Sequence, residues 1–238
     1  MTTRLAPSFA VLALRLAALL AAAAPPLSAQ QVGHQPANSP YLDLEYNQEF
    51  SIISGNYHAH RDPAGVGPQP GFLIGAHYQW RASGPLNLIG EITRVSSERQ
   101  PLDPLKTGAA RVLPQVSRPL YSGLFGLGMN LTGAKSWHHF VPEVSGGLGF
   151  ISDLQTAPDS GGFKFGTRFA LNWGAGIRWV PGGHWQVRGD LTNRSYTIGY
   201  PEVFFVAPAG GTALLSAKES KSLWVNNPAF TLGLSRLF

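Results

Sequence analysis

The chain has no cysteine in 238 residues, so neither a disulfide framework nor a thiolate metal site is open to it. Charge is also scarce. Asp, Glu, Lys and Arg make up 13% of residues, about half the ~25% usual in soluble domains. No Lys/Arg cluster of the kind that tracks a phosphate backbone occurs, so nucleic acid is not an expected partner. Beyond Ala29 no apolar run approaches the ~18 residues of a helical membrane span.

The first residues carry what the rest lacks. Arg4 opens the chain, and Leu5 to Ala24 is almost wholly Ala, Leu, Val and Phe, interrupted by Arg15. Pro25-Pro26 then break any helix, and Ala29 precedes Gln30. This order predicts a secretory signal peptide over residues 1–29, with an uncleaved membrane anchor as the competing reading. A short segment, 30–40, leads into the folded part, 41–238. The net charge of +5 becomes +3 (5 − 2) when Arg4 and Arg15 are set aside with the signal.

From Tyr41 onward the sequence alternates between apolar and polar residues in eight segments: 41–53, 72–81, 86–95, 120–132, 139–154, 169–180, 185–196 and 229–238. The cleanest sets Phe169, Leu171, Trp173, Ala175, Ile177 and Trp179 against Ala170, Asn172, Gly174, Gly176 and Arg178. A period of two predicts strands, and roughly ten residues is the length a membrane-crossing strand needs. Between segments, short breaks (Ser83-Gly84-Pro85, Gly133 to Ser136, Pro181 to His184) alternate with long ones near 55–71, 97–119, 155–168 and 201–227. That rhythm predicts a closed antiparallel transmembrane barrel of eight strands, with short periplasmic turns and four long extracellular loops. The fourth long loop holds Val203 to Val206 and Ala213 to Leu215, apolar enough for a hairpin that would make ten strands, or for a short helix.

Two patterns point the apolar face at lipid. Aromatic residues gather at both ends of the segments, as at membrane interfaces: Trp80, Trp137, Phe140, Trp179 and Trp185 towards the turns, Tyr121, Phe150 and Tyr196 towards the loops. The polar face carries Asp43, Glu45, His77, Arg81, Glu91, Glu143, Arg178, Arg188, Asp190 and Arg194. Both signs are present, as pairing inside a small lumen requires. Inward glycines, among them Gly126, Gly147 and Gly174, are expected to leave room for water.

The terminal stretch Phe230-Thr-Leu-Gly-Leu-Ser-Arg-Leu-Phe238 resembles the C-terminal strand signal of outer-membrane β-barrel proteins, with Phe230, Leu232, Leu234 and Phe238 in phase. Arg236 departs from the pattern. The resemblance implies recognition by the barrel-assembly machinery. The layout from Tyr41 to Phe238 is similar to small eight-stranded OmpA-type barrels, here expected without a periplasmic domain. It implies an outer-membrane location and contact with outer-membrane lipid, including lipopolysaccharide.

Catalytic and metal sites have little support. Lipid A deacylases place a His and a Ser two apart on one strand; Asn193-Arg194-Ser195 has the Ser without the base that would activate it. His58, His60 and Asp62 are too few and too loosely placed to predict a metal. Lys106, Arg111, Arg118, Lys164 and Arg168 give the long loops a basic character suited to lipopolysaccharide phosphates. No cofactor is expected. A structural or surface-interaction barrel is therefore the leading reading, a narrow channel for small solutes the second, and a lipid A-modifying enzyme the third.

Overall fold

The computed structural model describes residues 39–238; the signal-peptide reading of 1–29 and most of the 30–40 segment lie outside the described residues. Among the described residues twelve strands occur in chain order: β1 Tyr41–Asp43, β2 Gln48–Tyr57, β3 Gly71–Ser83, β4 Leu86–Ser96, β5 Glu98–Arg99, β6 Val116–Ser117, β7 Leu120–Asn130, β8 Lys135–Trp137, β9 Phe140–Ser152, β10 Thr167–Trp179, β11 Trp185–Gly199 and β12 Ser222–Leu237. Eight of them, β2, β3, β4, β7, β9, β10, β11 and β12, pair antiparallel in that order, and β12 pairs back onto β2. The sheet closes on itself and leaves no edge. No helix among the described residues is long and apolar enough to cross a membrane, which says nothing about strands.

Alternation follows the pleat. Along β10, odd residues from Phe169 to Trp179 face out, while Ala170 and Arg178 are buried. Short turns join the strands at one end of the barrel and long loops at the other. The fourth long connection forms a 3₁₀ turn, Glu202–Phe205, rather than a hairpin, so the barrel has eight strands.

The first predicted segment divides in two. Tyr41–Asp43 leaves the barrel wall, crosses beneath its turn end and pairs with β8 on the far side. Leu44 N–H donates to the Ala134 carbonyl and His138 N–H to the Pro40 carbonyl. Only from Gln48 does the chain enter the wall, so Asp43 and Glu45 are exposed on this strap rather than luminal.

β12 begins seven residues before the predicted Ala229, at Ser222. Asn226-Asn227-Pro228 reads as a turn, yet Pro228 sits inside the strand. Its carbonyl accepts from His58 N–H, just past the end of β2. In an antiparallel ladder a residue's N–H points the same way as its C=O, so the missing donor faces His58, past the end of β2, and takes no bond from β11. The inward glycines also shape the sheet. Gly126 and Gly147 face each other across β7–β9, and a Cβ on either would overlap the facing strand's backbone. They allow close coiling of the sheet, and they border a luminal cavity of about 30 Å³ beside His77, Glu91 and Arg188, large enough for a water.

Candidate functional site

The lumen has two parts. Towards the turns it is a charge network. Glu49 accepts from Arg188 at 2.9 Å and from Arg178 at 3.2 Å, while Glu143 lies 3.6 Å from Arg178 and 3.9 Å from Arg188. Arg188 also donates to Asp190 at 2.8 Å. Gln79 donates to Glu143 at 2.6 Å, and His77 lies 3.4 Å from both Glu91 and Gln79. Glu91 accepts from Arg194 at 2.7 Å. Four carboxylates thus face three guanidiniums and an imidazole, which is the mutual pairing a buried charge demands.

Arg194 marks the border, donating also to Thr93 Oγ1 at 2.7 Å and Ser122 Oγ at 3.1 Å. Towards the loops the lumen is apolar. Ile53, Tyr57, Leu73, Val95, Leu120, Ile151, Ile198 and Val225 are buried from the wall, and Phe163, Phe165, Phe204 and Leu215 are buried from the loops. Phe165 meets Tyr196 edge-on at 5.5 Å, and the Tyr57 and Tyr196 hydroxyls hydrogen-bond at 2.8 Å. The long loops therefore fold together as a plug that continues the barrel's core.

Polar clasps hold the plug. Arg99 lies over the Phe163 ring and pairs with Asp159 at 3.2 Å and Asp153 at 3.7 Å. Burial holds the Arg99 pKa below the usual guanidinium range, and the two aspartates offset only part of that. Each aspartate in turn shapes a loop: Asp153 accepts from Gly166 N–H and Asp159 from Phe163 N–H. Tyr200 donates to buried Asp62 at 3.1 Å; burial and that carboxylate raise its pKa well above the usual phenol range.

At the opposite end the strap roofs a cavity of about 410 Å³ bounded by Leu42, Glu45, Tyr46, His139, Arg178 and Gln186. Arg81 ties the strap to the rim, donating to the Leu44 carbonyl at 2.7 Å and to Asn47 Oδ1.

His77, Glu91, Glu143, Arg178, Arg188, Asp190 and Arg194 thus come together, Arg81 stands at the rim, and Asp43 and Glu45 lie outside. Of the aromatics, Trp80, Trp137, Phe140, Trp179 and Trp185 face out at the turn end and Tyr121 and Phe150 at the loop end. Tyr196 is fully buried; its even number puts it in phase with Arg188 and Arg194, hence inward. Phe230, Leu232, Leu234 and Phe238 all face out, and Phe238 exchanges backbone hydrogen bonds with Gln48.

Glu49 was not singled out in the sequence, although it continues the parity of Asp43 and Glu45. The plug aromatics were also missed. Their signal is the alternation Phe163-Lys164-Phe165 within a Gly-rich loop.

Ser195 faces outward, bonded to Asn226 Oδ1 at 2.6 Å and accepting from Asn193 Nδ2 at 2.9 Å. Neither amide takes up a proton, so the hydroxyl has no base there. His58 and His60 are exposed, while Asp62 is buried in its own turn. Among the loop cations, Arg111, Lys164 and Arg168 spend donors on loop carbonyls.

No family model matches the sequence, and no curated protein is similar to it. Solved structures align with it at low identity. Neisserial surface protein A aligns at 12% identity over 80% of this chain and 97% of its own, with a TM-score of 0.47. OprG from Pseudomonas aeruginosa aligns at 12% over 81% and 97%, TM-score 0.45. Ail, the attachment invasion locus protein of Yersinia pestis, aligns at 13% over 82% and 100%, TM-score 0.42.

Proposed function

We propose that the chain is an integral outer-membrane barrel that is closed to solutes, braces the envelope and meets ligands through its folded loops rather than by catalysis. The observation that carries this is the inversion of the barrel: Phe72, Ile92, Phe125, Trp173, Leu191 and Leu232 face out, and the charges face in. An apolar surface encircling a barrel is far larger than the patches soluble monomers tolerate, and hydrocarbon is the solvent that suits it. The strap and turns then lie in the periplasm and the loops outside. The outward phase of Phe230, Leu232, Leu234 and Phe238 supports handling by the barrel-assembly machinery.

The apolar plug and the paired charges speak against a channel. Ile53, Tyr57, Leu120 and Phe165 are buried in the loop half of the lumen, as the core of a closed barrel would be. The full chain, refolded into a planar bilayer, is expected to show a heat-dependent gel shift and no steady conductance. A steady conductance that changes when the charge of Arg178 or Arg188 is reversed would overturn the closed-barrel reading.

A further inference from the structure

Among the outward positions of the eight wall strands, Arg94 and Arg236 alone carry a charge. Arg236 is at the turn end, over the rings of Trp185 and Phe238 at 5.9 and 5.7 Å, an arrangement that suits a long cation snorkelling at the interface. Arg94 is at the loop end and differs in its surroundings. It stands in a row with Ile74 and Tyr121, and among the described residues its guanidinium makes a single hydrogen bond, a 3.3 Å contact to Ser96.

Beneath it the wall is hollow. The next row inward reads Ile52, Ala76, Ile92, Gly123 and Phe150 across five strands, and the row after that Phe50, Tyr78, Gly90, Phe125 and Leu148. Small residues therefore surround Ile92 on three sides: Ala76, Gly123 and, towards the turns, Gly90. Ile92 stands up as a ridge, 66% exposed. A hollow of about 610 Å³ touches Arg94, Tyr121 and Ile74, and a second of about 510 Å³ touches Gly90, Phe125 and Phe150. Both touch Ala76, Ile92 and Gly123. Added Cβ atoms at Gly90 and Gly123 meet nothing within 4 Å. These glycines, unlike those facing in, are not required by the sheet.

We infer that this face binds one phosphorylated, multiply acylated glycolipid of the lipid A class, its phosphate on Arg94 and an acyl chain on either side of the Ile92 ridge. The inference rests on the outer-membrane reading, which puts the loop end at the outer leaflet. Charge complementarity fixes the register: a guanidinium suits a phosphate, and the furrow descends from it into the apolar belt. A lone outward arginine without an anion would gain little there.

The test uses the full chain in phosphatidylcholine nanodiscs doped with lipid A, dephosphorylated lipid A or phosphatidylglycerol. Native mass spectrometry then counts the copies retained after brief detergent exchange. The wild type should keep one copy of phosphorylated lipid A. Arg94→Gln should lower retention about tenfold, the loss of one charge-assisted contact. Gly123→Leu should lower it with Arg94 intact, and Arg236→Gln should leave it unchanged. All variants should keep the heat-dependent gel shift. Wild-type retention in Arg94→Gln or in Gly123→Leu, equal retention of dephosphorylated lipid, or preference for phosphatidylglycerol would each overturn the site and leave the barrel reading standing. A wild type that does not insert would overturn both.

Discussion

The two halves of the barrel interior solve one problem by opposite means. Near the turns the core is ionic: Glu49, Glu143, Arg178 and Arg188 lie within 4 Å pairings of one another. Near the loops it is apolar and is completed from outside the wall by Phe163, Phe165 and Phe204. The difference follows from what can reach each half. The turns are too short to bring side chains back into the lumen, so wall residues must fill it, and long arginines bridge a gap that aliphatic side chains would not span. The loops are long enough to fold in and supply apolar bulk. An ionic core depends on every member, whereas an apolar one is locally repairable.

Three perturbations break or sharpen that contrast. Glu49→Gln leaves two buried guanidiniums short of a partner and should cost about 3–5 kcal/mol. Urea titration of the gel-shifted band in vesicles measures it, and a loss confined to the loops would show that the network does not hold the wall. Phe163→Ala removes a buried ring and should cost about 3 kcal/mol. Here the loss should appear as faster proteolysis of the loops with the band's heat resistance kept. Combined with Glu49→Gln, the two effects should add to within about 0.5 kcal/mol if the halves are independent. Tyr57→Phe, which leaves the Tyr196 hydroxyl without its partner, should cost only about 1 kcal/mol; a larger loss in urea would place the tyrosine pair inside the cooperative unit of the wall.

The contrast also explains what could be read from the sequence. Where the lumen is polar, inside and outside differ at every step, and Phe169 to Val180 gave the β10 boundaries to within two residues. Where the lumen is apolar, the alternation fades. Leu223-Trp224-Val225 has apolar residues on both faces, and the start of β12 was lost with it. Parity could have placed Tyr196 inward and Glu49 in the network. Parity could not reveal that Asp43 and Glu45 belong to a strap, because Leu42 to Asn47 alternates as a wall strand would, while the chain enters the wall only from Gln48. Loop folding was hidden for a different reason: Phe163, Phe204 and Leu215 find their partners across long separations that no local pattern records.

The strap bears on how such a barrel is made. Closure happens where β12 meets β2, and Phe238 must find Gln48 to complete it. A chain entering directly below β2 would trail across that seam as it zips. Here the polypeptide is instead moored beneath the β7–β9 turn by the Pro40 and Ala134 carbonyls, on the opposite wall. The seam is kept clear of the strap, and the mooring can form only once the hairpin it grips exists.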